Sequence, residues 1–288
     1  MKPAPFAYHR PETIGEVSGM LATLGNARIL AGGQSLMAML NMRYVQVDHI
    51  IDIGRIPGLA GVAQVGDAIE IGAMTRQAAL ARSELLATHA PLMVEALGSV
   101  GHLQTRNRGT IGGSLCHLDP AAELPSCALA LGATLVAAGP HGEREIPADS
   151  WFMGYMTPAL EPGEFLKAIR IPAQPRPAAH AFLEFSRRTG DFAMASIACQ
   201  LGFDGRGRIA RAAVVVAGLD VRPARCTAAE QALVGTIPDD AAADVAAQTL
   251  ASAEVLADAY GDAAYRQHLA VVLAARALKT AFGRRLHG

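Results

Sequence analysis

The sequence predicts an α+β chain of at least two domains, on three observations. Short apolar runs and helical periodicities alternate as far as Ile171. Prolines at 172, 175 and 177 then forbid regular structure across Pro172 to His180, the best boundary in the chain. Beyond them, three alternating runs precede alanine-rich helical stretches, the pattern of an antiparallel sheet covered by helices. A length of 288 residues suits one large domain or two to three smaller ones.

The elements follow in order. Thr13 to Leu24 reads as a helix, with Thr13 as N-cap and Glu16 three residues on. "ARILAG" is a short buried strand, "VDHIIDI" a second, and "GVAQVGDAIEIGAMT" a hairpin turning at Gly66-Asp67. Helical patterns cover Arg76–Ala87 and Pro91–Leu103. A further helix is expected from Asp119, with Asp119 as cap and Pro120 in the first helical position, running to about Leu131. "ATLVAAGPHGEREIP" reads as strand, turn, strand; "DSWFMGYMTPALEPGEF" is a loop, and "FLKAIRIP" a strand. Past the prolines, "HAFLEFSRR", "MASIACQLGFD" and "IARAAVVVAGL" are antiparallel strands, with Asp204-Gly205 turning the second into the third. Helices start near Thr227, Asp239 and Ala263.

Composition excludes several functions. The formal net charge is −1 with acids and bases interspersed, so no basic face points to nucleic acid or to an anionic membrane. No apolar run is long enough to insert into a bilayer, and "MKPAPFAYHRPETIGEV" reads as mature sequence without a signal core. The four cysteines, at 116, 127, 199 and 226, form no C-x-x-C, and the nine histidines form no metal-binding pair. They read as buried free thiols in a reducing compartment, and the chain as cytoplasmic without a metal of its own.

Two stretches stand apart from this background. "ILAGGQSLMAML" (Ile29 to Leu40) and "RNRGTIGGSLCHLDPAAELP" (Arg106 to Pro125) share one plan: apolar lead-in, Gly-Gly, hydroxyl residue, apolar continuation. Glycine lets backbone N–H groups approach an anion closely, and Ser35, Thr110 and Ser114 add uncharged donors. Either pair alone is an ordinary strand-to-helix turn; two of matching design favour two halves of one grip on a diphosphate. Neither is a G-x-x-x-x-G-K-S/T phosphate loop or a G-x-G-x-x-G dinucleotide fingerprint.

Together with "FAYHRPETIGEV", "IGAMTR", "LGATLVAAG", "DSWFMGY" and "FSRRTGDFAMAS", these motifs give a chain that resembles the FAD-binding medium subunit of the molybdenum hydroxylases. That group includes aerobic carbon monoxide dehydrogenase, the N-heteroaromatic dehydrogenases and the flavin domain of xanthine dehydrogenase. The resemblance covers nearly the whole chain. It implies a two-part FAD-binding module of the vanillyl-alcohol-oxidase (PCMH) type, with subdomains at residues 1–55 and 56–174. A C-terminal antiparallel-sheet-plus-helix flavoprotein domain would occupy 175–288.

The resemblance also assigns roles. Ala31, Gly32, Gly33, Gln34, Ser35 and Leu36 would hold the FAD diphosphate on one side. Thr110, Ile111, Gly112, Gly113 and Ser114 would hold it on the other, mainly through backbone N–H groups. Glu123 would accept from ribityl or ribose hydroxyls; His117 would pass close to the flavin, and Leu166 would cover the isoalloxazine face. Phe192 would pack near the ring, Glu184 would make it less anionic, and Arg187 and Arg188 would pair Asp191 or face a partner.

A large molybdopterin subunit would hydroxylate the substrate, and a small subunit with two 2Fe–2S clusters would pass electrons to the FAD. The assembly would be a heterotrimer or a dimer of heterotrimers. No catalytic residue is expected in this chain. Carbon monoxide, a purine and a pyridine-type ring all remain open as substrates. The rival readings are a self-contained flavin oxidase of the vanillyl-alcohol-oxidase type, for which no catalytic base is found, and an assembly subunit that has lost its flavin.

Overall fold

The computed structural model describes residues 1–174 and 176–285; Pro175 in the proline-rich boundary, and Leu286 to Gly288 at the end of the third expected domain, lie outside them. The chain opens with β1 (Ala7–His9), α1 (Ile14–Thr23), β2 (Ala27–Leu30), α2 (Leu36–Asn41) and β3 (His49–Asp52). Thr13 caps α1, its hydroxyl accepting from the Glu16 N–H at 3.2 Å, while the Glu16 carboxylate accepts from the Glu12 N–H at 2.7 Å. The three strands pair in parallel in the order β1-β3-β2, with Ala7 and Ala27 both opposite His49. All three therefore finish at one edge, where the first glycine loop departs from β2. The carboxyl edge of a parallel sheet is where open α/β proteins hold ligands.

A second, antiparallel sheet has the order β4-β5-β10-β6-β7, from β4 (Val62–Val65), β5 (Ala68–Gly72), β6 (Thr134–Gly139), β7 (Gly142–Pro147) and β10 (Phe165–Ile171). Gly66 turns its first hairpin with φ +63°. The expected loop before β10 carries a small ladder of its own, β8 (Phe152–Gly154) with β9 (Thr157–Pro158). Val17 of α1 and Ile51 of β3 pack with Ala138 and Phe165, joining the two sheets through one apolar layer.

Six short helices fill the connection between β5 and β6: α3 (Gln77–Leu80), α4 (Glu84–His89), α5 (Pro91–Leu97), α6 (Leu103–Arg108), α7 (Ile111–His117) and α8 (Glu123–Ala130). The long helices expected here are divided or shortened. Ser83 ends the first by capping α4, its hydroxyl accepting from the Leu86 N–H at 3.2 Å. Gly98 and the left-handed Gly101 (φ +45°) end α5. The helix expected from Asp119 starts four residues later, at Glu123. Asp119 instead closes a turn, accepting from the Ala121 N–H at 2.9 Å. The Pro120 carbonyl is taken by the Gly218 N–H, also at 2.9 Å, and so is not available to start a helix.

The C-terminal sheet, β11 (Ala178–Phe185), β12 (Ala195–Phe203), β13 (Ile209–Ala217) and the two-residue β14 (Ala224–Arg225), is antiparallel in sequence order. α9 (Thr227–Leu233), α10 (Asp240–Gln248) and α11 (Ala263–Arg285) follow it, with Asp239 capping α10. All nine residues of β12 are buried, because both faces of this sheet are covered. Ile197, Cys199 and Leu201 pack among α11 residues such as Ala270 and Leu273. Ala198, with Phe182 and Val215, packs instead in the cluster that holds α5 and α8.

A polar clasp reinforces this junction. Arg284 near the end of α11 donates to both oxygens of Glu95 on α5, at 2.7 and 2.8 Å, and to the His180 carbonyl at 2.8 Å. Glu95 also accepts from the Phe182 N–H at 3.2 Å. Glu95→Ala leaves a guanidinium and a backbone N–H without their acceptor, which costs about 1–3 kcal/mol. The check is the denaturant midpoint, which is expected to fall with an unchanged m-value.

Candidate functional site

The first glycine loop runs from Ala31 to Ser35, between β2 and α2. Gly33 sits at φ +72°, and a Cβ there would meet Leu30 Cδ1 at 3.2 Å and Met37 Cγ at 3.3 Å. A left-handed step of this kind lets neighbouring amides converge on one anion. The N–H groups of Gly32, Gly33, Gln34, Ser35 and Leu36 find no acceptor among the described residues, and the Ser35 hydroxyl makes no cap bond. Several amides with no internal partner on one loop make a donor set suited to an anion.

The second motif is built differently. Thr110 is buried and caps α7, its hydroxyl accepting from the Gly113 N–H at 3.0 Å. Ser114 N–H donates to the Thr110 carbonyl at 3.2 Å, Ile111 N–H to Thr75 at 3.1 Å and Gly112 N–H to Ala73 at 2.8 Å. Four of the five amides expected to grip the diphosphate are thus already committed to the protein. The Thr110 hydroxyl, expected as a phosphate donor, is enclosed as a helix cap. The Thr110 N–H and the Ser114 hydroxyl have no partner among the described residues.

The bareness of the glycines has a matching correction. The expectation was that phosphate lies against them. In the structure, a Cβ at Gly112 would stand 2.5 Å from Ala73 Cβ and 2.7 Å from its carbonyl oxygen, so Gly112 is bare to seat α7 on the segment after β5. A Cβ at Gly32 would meet Arg108 O at 2.5 Å, Gly109 Cα at 2.8 Å and Thr110 N at 3.1 Å. Gly32 is bare because the two loops touch there. Ala31 lies 3.8 Å from the Cβ position of Gly113, a second point of approach. The contact at Gly32 sets the open Thr110 amide beside the five amides of the first loop.

Around these loops the remaining expected residues divide. Glu123 opens α8, partly buried; burial pushes its carboxyl up to about 8, and repulsion from Glu184 and Asp119 adds to this. Glu184, across the junction on β11, is itself raised to about 7 by burial, with one carboxyl oxygen enclosed and without a partner among the described residues. His117 ends α7, and burial lowers its pKa against the opposing pull of Asp119, so the imidazole is neutral at physiological pH.

Leu166 is 3 % exposed and belongs to the main core. Its side chain packs in that core, next to the register shift between Leu166 and Ala168 in the pairing of β10 with β6. Phe192 is 70 % exposed. Arg187 stacks over the Tyr260 ring at 5.4 Å rather than pairing Asp191. Its loop rests on the neighbouring domain, where a Cβ at Gly190 would meet His102 Cε1 at 2.4 Å. Cys116, Cys199 and Cys226 are raised to about 12 by burial, and Cys127 well above its ordinary value, so none presents a reactive thiolate.

A neutral buried carboxyl has a measurable consequence. An unfolded glutamate ionises near about pH 4.3, whereas folded Glu123 stays protonated until about 8. Through that window the folded state binds the extra proton, so stability falls as pH rises and levels off above it. Glu123→Gln is expected to raise the melting temperature of the flavin-free protein at about pH 8 and leave it unchanged at about pH 4. Thermal melts at the two pH values check this.

Arg76 was missed by sequence reasoning. It precedes α3 and bridges to Thr110, and its guanidinium donates to the Arg108 carbonyl. The available signal was a cation immediately before a helical stretch, where the helix dipole favours an acid.

Residues 4–174 match the family described as the FAD binding domain in molybdopterin dehydrogenase, and residues 180–281 the CO dehydrogenase flavoprotein C-terminal domain. The chain is 37% identical over 286 residues to the 6-hydroxypseudooxynicotine dehydrogenase complex subunit alpha of Paenarthrobacter nicotinovorans, covering 99% of this chain and 97% of that one. It is 35% identical to the carbon monoxide dehydrogenase medium chain of Hydrogenophaga pseudoflava, covering 99% of each. A solved carbon monoxide dehydrogenase from that organism superposes with a TM-score of 0.95 at 37% identity, over 99% of both chains. Quinoline 2-oxidoreductase from Pseudomonas putida 86 superposes with 0.94 at 32% identity, over 99% of this chain and 100% of that one.

Proposed function

Because this chain belongs to the family of FAD-binding medium subunits of the molybdenum hydroxylases, we propose that it takes electrons from 2Fe–2S clusters of a partner subunit and passes them to an external acceptor. The chain is the flavin subunit of a multi-subunit oxidoreductase, and its cofactor is FAD. The observation that carries the site is the row of amides from Gly32 to Leu36 without internal acceptors among the described residues, with the Thr110 N–H beside it at the Gly32 contact. These uncharged donors fit a diphosphate, which they would hold with the Ser35 and Ser114 hydroxyls. The glycines set the path of the two loops and bring them together at Gly32. FAD supplies reversible one- and two-electron chemistry when bound. The chain's own part is to position it, exclude water at α8 and, through the protonated Glu123, offer a hydrogen-bond donor instead of a charge.

In this reading a large molybdopterin subunit and a small iron–sulfur subunit complete a cytoplasmic heterotrimer or a dimer of heterotrimers. Relatives named for a nicotine derivative, carbon monoxide and caffeine match this chain at 35–37% identity over nearly its full length. That evenness supports substrate choice residing outside this subunit. The three larger sheets, within residues 7–52, 62–171 and 178–225, support a division into 1–55, 56–174 and 175–288. No helix among the described residues is long and apolar enough to cross a membrane.

The test is to purify the full chain, alone and co-expressed with its two partner subunits, and to release and quantify the chromophore. Near-stoichiometric FAD is expected in at least one of the two preparations. Its absence from both would sink the site and favour an assembly subunit without flavin.

A further inference from the structure

Arg76 and Arg108 are neighbouring cations at the junction of the two glycine loops, and neither forms an ion pair among the described residues. Arg76 Nη1 donates to the Arg108 carbonyl, the same oxygen that lies 2.5 Å from the Cβ position of Gly32. The guanidinium therefore stands on the carbonyl against which the first glycine loop packs. Asp52, the carboxylate whose field reaches Arg76, has both oxygens engaged, one by Gly54 N–H at 2.8 Å and the other by the Tyr8 hydroxyl. The nearby Arg106 is spent on the Val100 and Gly101 carbonyls at 2.8 and 3.1 Å.

Burial lowers the pKa of Arg76, and repulsion from Arg108 lowers it further. An arginine still keeps its charge under such shifts. Two neighbouring positive charges, opposed only by the field of Asp52 on Arg76 and forming no ion pair of their own among the described residues, favour an anion beside the donor-rich loop.

We propose that Arg76, supported by Arg108, supplies the positive charge that holds the diphosphate of FAD at this junction and selects it over an uncharged flavin. The assignment rests on the flavin reading above. The amides orient the diphosphate without charge, and the guanidinium adds a charge-assisted donor that can engage two oxygens at once. Arg108, exposed and without a side-chain hydrogen bond among the described residues, adds to the field from outside.

The experiment is an FAD titration of wild type, Arg76→Gln and Arg76→Lys, on the assembly in which the wild type binds FAD after the flavin has been removed. It is run at about 50 mM and about 500 mM salt. Arg76→Gln is expected to bind FAD about tenfold more weakly at low salt, with the gap narrowing at high salt, while Arg76→Lys keeps most of the affinity. Riboflavin affinity should not differ between wild type and Arg76→Gln. An unchanged FAD affinity, or a loss equal at both salt concentrations and shared by riboflavin, overturns the assignment and leaves Arg76 as a loop brace. If Arg76→Gln does not fold, Arg108→Gln carries the test: a salt-sensitive loss of about threefold is expected, and no loss, or a salt-independent one, overturns it. A wild type that takes up no FAD sinks the flavin reading itself, a result distinct from these.

Discussion

Gly32→Ala is expected to cost this protein its FAD while leaving it folded. The added methyl would stand 2.5 Å from Arg108 O and 2.8 Å from Gly109 Cα, both main-chain atoms that cannot rotate away. Gly109 is itself anchored, its N–H donating to the Thr105 carbonyl at 2.6 Å and its carbonyl accepting from the Gln77 N–H at 2.9 Å. The loops must separate, carrying the Thr110 amide away from the row that starts at Gly32. Overpacking of this kind costs about 1–3 kcal/mol, which becomes about ten- to a hundredfold in affinity when it falls on the binding geometry. Gly33→Ala is a useful contrast. Its clashes, at 3.2 and 3.3 Å, are with the side chains of Leu30 and Met37, which can give, although the positive φ adds strain. An FAD titration of both variants, beside a thermal melt of each flavin-free protein, is decisive. Affinity retained in Gly32→Ala would mean that the loop contact does not shape the site.

Trp151→Ala is expected to lower global stability by about 3–5 kcal/mol. Trp151 is fully buried in the main core, and its indole N–H donates to the Leu115 carbonyl at 2.6 Å. The substitution opens a large void and also strands a carbonyl in α7, the helix that carries Gly112 to Ser114. Trp151→Phe fills most of the void but leaves the Leu115 carbonyl without its donor, so an intermediate loss of about 1–3 kcal/mol is expected. Because Trp151 is the only tryptophan, unfolding is followed by circular dichroism rather than fluorescence. Equal stability in the alanine variant would show that α7 does not depend on this anchor.

Much of the fold was legible from neighbours in sequence. The Thr13 cap, the Gly66 and Asp204 turns and the Asp239 cap are interactions across two to four residues, and local chemistry is sufficient to read them. The misreadings are all decided at a distance or by a competing cap. Asp119 and Pro120 spell a helix start, yet Gly218, nearly a hundred residues away, takes the Pro120 carbonyl. Arg76–Ala87 has one apolar periodicity, yet the Ser83 hydroxyl begins a new helix inside it. β14 spans only two residues and leaves no pattern.

The site divides in the same way. The glycine pairs announced themselves, but the acceptors that occupy the second motif, Ala73 and Thr75, lie on a different part of the chain. The two motifs look alike in sequence and act differently in space. Leu166, expected to cover the isoalloxazine face, is 3 % exposed and packs in the main core.

The row from Gly32 to Leu36 has a further consequence for inheritance. A main-chain N–H is common to every amino acid except proline, so side chains along much of such a row can drift without deleting a donor. What selection must preserve is the path of the chain: a residue free to turn at Gly33, and one slim enough at Gly32 for a neighbouring strand of backbone to lie against it. A contact specified by shape and not by chemical identity at each position can pass unaltered between lineages that have exchanged most of their residues. Relatives sharing about a third of their sequence with this chain share almost all of its fold, as a contact specified by shape allows.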